Sequence, residues 1–208
     1  MPTPAFDLYL VTDRTQTGGR DLLWVLEQAL AGGVNAVQLR EKDLGGRALF
    51  DLAEKARRLC ERYRASLLIN DRVDIALAVD AAGVQLGKTS LPVQTARTLL
   101  GPEKLIGASI HSLEELTEAK ERGADFALFG PVYFTPSKAR FGAPQGLAAL
   151  QNIVENSALP VYAIGGITAE NTNAVRNLGV RGIALIAAII SAESPKETAQ
   201  AIVQLLRR

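Results

Sequence analysis

The sequence of 208 residues is poor in cysteine and in aromatic side chains, and each shortage excludes a class of protein. Cys60 is the only cysteine, which excludes a disulfide framework and a cysteine-rich zinc site. Aromatic residues make up 5% of the chain and hydrophobic residues 48%, a content that excludes a disordered protein. Because two domains of this total length would each have a small core, we expect a single domain over residues 1–208.

The sequence also lacks an excess of charge of one sign and a long hydrophobic run. Lys and Arg number 23 and Asp and Glu number 22, so no overall field attracts nucleic acid or an anionic membrane. The longest hydrophobic runs, such as residues 183–190, are far shorter than the roughly 20 residues that cross a bilayer. The first residues do not have the basic and apolar pattern of a signal peptide. We therefore expect a cytoplasmic protein that binds neither nucleic acid nor membrane.

Short apolar runs typical of strands alternate along the chain with longer segments of helical periodicity. The predicted strands are residues 8–11, 36–39, 66–69, 83–86, 104–108, 125–129, 160–164 and 182–186. The predicted helices are residues 21–31, 46–63, 73–79, 93–100, 113–122, a segment from 147, 169–178 and 195–207. Strict alternation requires parallel strands with crossover helices. Eight such units close most naturally into an α/β fold of the (β/α)8 TIM-barrel type, with a doubly wound sheet as the alternative.

Residues that bind anions gather directly after the predicted strands, at the end of the barrel where this fold places its active site. They comprise three cations, two hydroxyl side chains and a glycine pair, namely Arg40, Lys42, Lys138, Thr135, Ser137 and Gly165–Gly166. The glycine pair allows a ligand to approach the backbone amides before the next helix. The sequence therefore predicts a barrel that binds a small molecule carrying phosphate or diphosphate.

Asp71 follows the third predicted strand and is a candidate Mg²⁺ ligand, since Mg²⁺ commonly uses one or two carboxylates together with phosphate oxygens. Each of these signals also has a structural interpretation. Asn70–Asp71 is compatible with an N-cap for the third helix, and residues 40–42 with a solvated charge cluster. Gly165–Gly166 and residues 135–138 are compatible with simple turns. His111, the only histidine, precedes a Ser112–Glu115 capping box and is equally compatible with a structural and a catalytic role.

Six segments in this order resemble the thiamine-phosphate synthase family: LYLVTDR, AVQLREKD, INDRVDIAL, AAGVQLG, GPVYFTPSK and AIGGIT. The resemblance extends from residue 8 to about residue 190. It implies a TIM barrel that joins 4-amino-2-methyl-5-hydroxymethylpyrimidine diphosphate to a thiazole phosphate or its carboxylate. The products are thiamine phosphate and diphosphate, formed by departure of diphosphate and capture of a pyrimidine carbocation by the thiazole nitrogen. Such a reaction depends on stabilising the charge of the leaving group.

The resemblance also implies a role for each matching residue. The diphosphate is expected against Arg40, Lys42, Asn70 and Lys138, bridged by Mg²⁺ bound to Asp71. Gln38 and Ser109 are expected to hold the pyrimidine. The thiazole phosphate is expected to contact side chains of the sixth-strand loop and backbone beyond the last two strands, namely Thr135, Ser137, Gly166, Ile186 and Ala187.

The loop after the fourth strand departs from the family pattern. The family has Gly-Gln-x-Asp there, with the Asp as a second metal ligand, whereas this chain has Gly87–Lys88–Thr89–Ser90. Ala187 also replaces the usual serine. These departures favour, as an alternative, the related thiazole tautomerase, which needs no metal and for which His111 is the expected proton shuttle. A non-catalytic sensor of a phosphate ligand is a second alternative, which the intact set of cations opposes.

Overall fold

Eight parallel strands close into a barrel in the computed structural model, which describes residues 3–136 and 142–207. Each strand is hydrogen-bonded to the next along the chain, and the eighth pairs with the first through Leu8 and Ile183. The strands are β1 Leu8–Val11, β2 Ala36–Leu39, β3 Ser66–Asn70, β4 Gly83–Leu86, β5 Leu105–Ile110, β6 Phe126–Phe129, β7 Val161–Ile164 and β8 Gly182–Leu185. The predicted TIM barrel is confirmed, and the doubly wound alternative is wrong.

Helices surround the barrel and connect its strands. They are α1 Leu22–Ala31, α2 Gly46–Arg62, α3 Val73–Ala78, α4 Val93–Leu100, α5 Leu113–Glu121, α6 Gly146–Glu155, α7 Thr172–Arg176, α8 Ala187–Ile190 and α9 Pro195–Arg207. A 3₁₀ turn, Arg14–Gln16, follows β1. Within the described ranges, each helix is too short or too polar to span a membrane.

Two helices differ from the sequence prediction. Helix α7 is shorter than the predicted 169–178, because Asn171 is used to close the preceding loop. Its side chain accepts a hydrogen bond from the Thr168 amide at 2.8 Å and donates one to the Gly166 carbonyl at 2.9 Å. The four-residue α8 was not predicted, because its residues continue the apolar run of β8. Both differences lie at the carboxyl ends of strands, where loop geometry decides the backbone path.

Alternate residues of each strand face opposite sides, which divides the core into two layers. On β1, Leu8 and Leu10 pack outward against the helices, whereas Tyr9 and Val11 face the barrel interior. Helix α1 covers the outward layer with a buried stripe that begins at Leu22 and includes Val25, Leu26, Ala29 and Leu30. Burial of each large aliphatic side chain stabilises the fold by about 1.5–3 kcal/mol. This outer layer holds the strands in place so that their carboxyl ends form one rigid rim.

Four aromatic rings fill the lower part of the barrel interior. Phe6, Tyr9, Phe126 and Tyr162 are almost fully buried, and their ring centroids lie 4.8–6.3 Å apart. The Tyr162 hydroxyl donates to the Phe6 carbonyl at 2.7 Å, which satisfies its polar atom within this aromatic floor. Burial raises the pKa of the Tyr9 and Tyr162 hydroxyls, so both remain neutral. Gln38, Gln85 and Ser109 lie beyond these rings along their strands, towards the carboxyl ends.

Candidate active site

A buried carboxylate, Glu41, joins the ends of β1 and β2. It accepts hydrogen bonds from the Thr12 hydroxyl at 2.6 Å and from the Arg14 amide at 3.2 Å. The Thr12 oxygen in turn accepts the Arg40 amide at 2.9 Å. Glu41 also lies 3.5 Å from the Arg14 guanidinium, which forms a second ion pair with Asp43. Residues 40–42 are therefore not a solvated charge cluster, because their central residue is a buried structural bridge.

This bridge fixes the two cations on either side of Glu41. Arg40 is half-buried, and Lys42 is exposed. Among the residues that the structure describes, the Arg40 guanidinium has neither a hydrogen bond nor an ion pair. Burial opposes ionisation of the nearby Asp13, but hydrogen bonds from Thr15 and Gln16 together with the Arg40 charge lower the pKa of that carboxyl. The Arg40 backbone is therefore fixed at the end of β2, and its charge lies close enough to Asp13 to act on that carboxyl.

We expect Glu41→Ala to destabilise the protein by about 2–3 kcal/mol, because the Thr12 hydroxyl and the Arg14 amide lose their acceptor in a buried position. Urea denaturation monitored by circular dichroism measures this change. The matched control is Glu54→Ala, which removes an exposed ion pair with Arg58 on α2 and is expected to cost less than about 1 kcal/mol. Equal losses for both variants would contradict the bridging role of Glu41.

Asp71 has a strained backbone and a carboxylate that faces several polar groups. Its φ is +62°, a left-handed conformation that is uncommon outside glycine and concentrated at functional sites. One carboxylate oxygen accepts the Asn70 side-chain amide at 2.7 Å and lies 3.7 Å from the Lys42 ammonium. The N-cap of α3 is Arg72 rather than Asn70 or Asp71, and it forms no side-chain capping bond. The interpretation of Asn70–Asp71 as a helix cap is therefore wrong.

Ser90 contacts the other oxygen of the Asp71 carboxylate and donates its hydroxyl proton to it. The same Ser90 oxygen accepts the Gly87 amide at 2.6 Å, and the Ser90 amide donates to the Gly87 carbonyl at 3.0 Å. These bonds close a tight turn from Gly87 to Ser90, with Lys88 exposed at its tip. Ser90 thus lies beside the candidate metal ligand, and its hydroxyl orients the Asp71 carboxylate.

The inner wall of the mouth carries three buried or half-buried polar side chains. Gln38 is 2% exposed, and its side-chain amide donates to the Tyr9 hydroxyl at 3.2 Å. Gln85 is also 2% exposed, and its side-chain amide donates to the Ser109 hydroxyl at 3.1 Å. Gln38 and Ser109 are therefore both at the base of the mouth, immediately above the aromatic floor. Gln85 lies inside the predicted strand 83–86, where the sequence pattern does not indicate a role for it.

Gly165 and Gly166 bring the end of β7 against the loop that follows β6. Both are left-handed, with φ of +104° and +65°. A Cβ at Gly166 would lie 2.7 Å from the Phe134 carbonyl oxygen, and one at Gly165 would lie 2.5 Å from Pro131. The loop backbone continues the pairing with β7, since the Tyr133 amide donates to the Gly165 carbonyl at 2.9 Å. The glycine pair is more than a simple turn, because it packs two strand-end loops together.

The end of β8 leads into α8 at Ile186 and Ala187. Ile186 is half-buried and Ala187 is exposed. The amides of Ala187 and Ala188 begin the helix, and the first amides of a helix have no acceptor within it. Together with Gly166 on the neighbouring strand end, these backbone groups lie where TIM barrels commonly bind phosphate.

His111 lies just beyond β5, and its contacts favour the structural interpretation. Its backbone amide donates to the Glu115 carboxylate at 2.7 Å, and its ring Nδ1 lies 3.1 Å from the same oxygen. The Ser112 hydroxyl accepts the Glu115 amide at 3.2 Å and caps α5, whereas the Glu115 side chain accepts from His111, one residue before the N-cap that a capping box would use. His111 also borders a groove of about 360 Å³ between the start of α5, helix α6 and Phe129 of β6.

Three predicted residues belong to the loop after β6. Thr135 is half-buried beyond Phe134, on the part of the loop that contacts Gly166. Ser137 and Lys138 lie outside the described residues. Within the described ranges, no group of three or more histidine, cysteine, aspartate or glutamate side chains is placed to hold a metal ion. Asp71, the Mg²⁺ ligand predicted from the sequence, directly follows β3 and is a carboxylate that could hold a metal ion.

The barrel and its mouth define a class of protein, the (β/α)8 enzymes that bind phosphorylated small molecules at the carboxyl ends of their strands. Residues 8–189 match the family model described as thiamine monophosphate synthase. The chain therefore belongs to the thiamine monophosphate synthase family.

Individual relatives support the same assignment. The chain is 53% identical over 201 residues to a Geobacter sulfurreducens protein named "Putative thiamine-phosphate synthase", covering 97% of this chain and 94% of the relative. It is 43% identical over 202 residues to the thiamine-phosphate synthase of Desulfitobacterium hafniense strain Y51, covering 97% of this chain and 98% of that relative. A solved structure of thiamine phosphate pyrophosphorylase from Pyrococcus furiosus superposes with a TM-score of 0.89 at 39% identity, covering 97% of this chain and 96% of that structure's chain. The recognition made from the six sequence segments is confirmed.

Proposed function

We propose that this protein is a thiamine-phosphate synthase that joins 4-amino-2-methyl-5-hydroxymethylpyrimidine diphosphate to a thiazole phosphate. The family membership and the well-covered relatives support this activity. The observation that carries it in the structure is the group of charges at the ends of β2 and β3, where the Lys42 ammonium lies 3.7 Å from the Asp71 carboxylate and Arg40 precedes Lys42 by two residues. A reaction that expels diphosphate needs such a set of charges more than it needs a general base.

The proposed reaction breaks one bond and forms another. The carbon–oxygen bond between the pyrimidine methylene and diphosphate breaks, and its electron pair leaves with the diphosphate. The resulting cation at the methylene carbon is then captured by the lone pair of the thiazole nitrogen, which forms the new carbon–nitrogen bond. Arg40 and Lys42 stabilise the charge that develops on the leaving diphosphate, and the barrel wall keeps the two rings in contact. Asn70 adds a neutral donor, and Lys138 remains a further cation predicted from the sequence.

The residues around Asp71 fit a Mg²⁺ ion that is shared with the substrate diphosphate. Asp71 and Ser90 offer oxygen ligands, a carboxylate and a hydroxyl, which suit a hard cation. Bound Mg²⁺ would neutralise charge on the leaving diphosphate. Asp71 would hold the ion, and Ser90 would orient the carboxylate rather than add a second negative charge. Lys42, 3.7 Å from Asp71, places its positive charge beside the same group.

We expect the double variant Lys88→Gln, Ser90→Asp to bind Mg²⁺ at least tenfold more tightly, a gain of about 1.4 kcal/mol, because it adds a carboxylate next to Asp71 and removes a nearby cation. Titration of Mg²⁺ against both the thermal unfolding midpoint and the rate of synthesis measures the effect. Lys88→Gln alone is the control for removal of the charge. An unchanged Mg²⁺ titration in the double variant would show that this turn does not face the metal.

The two rings of the substrates are proposed to occupy different depths of the mouth. The pyrimidine lies against Gln38 and Ser109, just above the aromatic floor. The thiazole phosphate lies against the amides at Gly166, Ile186 and Ala187, where the strand ends of β7 and β8 adjoin. Thr135 and Ser137 are predicted from the sequence to add hydroxyl donors to this phosphate. A cytoplasmic location also remains a prediction of the sequence.

One assay tests the function directly. Purified protein is mixed with the pyrimidine diphosphate, the thiazole phosphate and Mg²⁺, and formation of thiamine phosphate is followed by chromatography. A second assay follows conversion of the thiazole carboxylate tautomer without metal, in the wild type and in His111→Ala. Synthesis that is unaffected by His111→Ala supports the proposal. Tautomer conversion that is lost in His111→Ala, without synthesis, would support the tautomerase, which the comparisons do not favour; binding of thiazole phosphate without either reaction would support a sensor.

A further inference from the structure

Gln85 is a buried polar residue whose amide has one hydrogen bond and one unsatisfied atom. It lies on β4, faces the barrel interior and is 2% exposed. Its Nε2 donates to the Ser109 hydroxyl oxygen at 3.1 Å. Its Oε1 has no hydrogen-bond partner among the described residues. A buried amide that is only partly satisfied is costly, so its retention in this position calls for a functional explanation.

The neighbouring strand leaves room for this amide. Gly107 precedes Ser109 by two residues on β5, on the same inward face. A Cβ at Gly107 would lie 2.3 Å from the Gln85 Oε1 and 2.3 Å from the Phe126 ring. Any larger residue at position 107 would therefore push Gln85 away from its present position. The space around Gln85 is fixed by glycine on one side and by the aromatic floor below.

The direction of the Gln85 bond determines what the Ser109 hydroxyl has left to offer. A serine hydroxyl has one proton to donate, and its oxygen can accept. Because the Ser109 oxygen already accepts from Gln85, its proton is free to point into the mouth, where Ser109 is half-buried. Gln38, in contrast to Ser109, leaves an acceptor for a ligand. Its Nε2 donates to the Tyr9 hydroxyl, and its Oε1 remains as the acceptor. The base of the mouth thus presents one donor and one acceptor.

We propose that Gln85 is a positioning residue that fixes Ser109 as a hydrogen-bond donor to a ring nitrogen of the pyrimidine. Gln38 Oε1 then accepts a hydrogen bond from the exocyclic amino group of the same ring. An aminopyrimidine carries a donor amino group next to an acceptor ring nitrogen, which matches this pair. The inference rests on the proposed function, because it assumes that the pyrimidine occupies the base of the mouth.

The test compares the natural pyrimidine diphosphate with two analogues in which one or the other ring nitrogen is replaced by C–H. In the wild type, kcat/KM for at least one analogue is expected to be about tenfold lower, the value of one hydrogen bond to a buried partner. In Gln85→Met, which keeps the side-chain length but removes the amide donor, this discrimination is expected to fall to about twofold or less. Ser109→Ala is expected to abolish it, and adding Gln85→Met to Ser109→Ala is expected to have no further effect.

Several outcomes separate this inference from the function on which it rests. KM for the thiazole phosphate is expected to stay within about twofold in Gln85→Met, because a positioning effect acts only on the pyrimidine. Gln85→Leu replaces Gln85→Met if the latter does not fold. Full discrimination in a folded Gln85 variant or in Ser109→Ala would overturn the inference while leaving the synthase activity intact. Absence of thiamine phosphate with the wild type and natural substrates would overturn the proposed function and the inference together.

Discussion

Asp71→Asn is expected to lower kcat for thiamine phosphate formation by a factor on the order of 10² or more, because it removes the charge that would hold Mg²⁺ against the diphosphate. Asparagine tolerates the left-handed backbone at φ +62°, so the substitution keeps the turn that Asp71 forms. The size of the carboxyl group is also preserved, which leaves Asn70 and Ser90 with a neighbour of the same shape. Steady-state kinetics measure the loss of kcat. The dependence of the thermal unfolding midpoint on Mg²⁺ concentration measures the loss of metal binding.

Asp74→Asn is the matched control for this variant. Asp74 lies three residues further along the chain and forms an exposed ion pair with Arg72 at 2.5 Å. That hydrogen-bonded pair lowers the pKa of the Asp74 carboxyl, which lies exposed in the first turn of α3. We expect Asp74→Asn to leave kcat unchanged and to change stability by less than about 1 kcal/mol. Comparable losses of kcat in both variants would refute a specific metal-binding role for Asp71.

Arg40→Met is expected to reduce kcat/KM for the pyrimidine diphosphate by a factor on the order of 10² or more, with a smaller effect on stability. The catalytic loss follows from removal of a charge that faces the developing diphosphate. Stability changes little because, within the described part of the chain, the Arg40 guanidinium has no ion pair to lose, and Met keeps most of the aliphatic packing. Kinetics combined with urea denaturation distinguish the two effects.

Arg47→Met provides the comparison for removal of one positive charge. Arg47 is on α2, its side chain is 88% exposed, and it pairs with Asp51 at 3.0 Å. We expect this variant to have the wild-type kcat/KM, since the Arg47 charge is exposed, paired with Asp51 and screened by salt. If Arg40→Met retained wild-type kcat/KM as well, the diphosphate would have to bind elsewhere, and the proposed site would be wrong.

The alternation of strands and helices was predictable because each element has its own hydrophobic period. Strands β1, β2 and β4 have the predicted bounds, since their apolar runs end at polar or glycine residues that stop the strand. Helix α8 was missed because Ala187–Ile190 is as apolar as the strand before it. Period alone cannot separate a short buried helix from a strand.

The sequence predicted the site residues that directly follow a strand. It did not predict the roles of residues that position another side chain by a hydrogen bond. The position of Arg40, Asp71 and Ser109 follows from the fold, since parallel strands bring their carboxyl ends to one rim. The roles of Glu41 and Gln85 depend on which atoms they bond across the barrel. Such long-range partners are set by strand register, which neither local spacing nor composition records.

The aromatic floor has a consequence for the order in which molecules pass through the site. Phe6, Tyr9, Phe126 and Tyr162 fill the cross-section of the barrel below Gln38 and Ser109. Substrates and products therefore enter and leave at the carboxyl ends of the strands. A ring that binds at the base of the mouth is expected to enter before one that binds above it. With the pyrimidine at the base of the mouth, as proposed, the pyrimidine diphosphate is expected to bind before the thiazole phosphate.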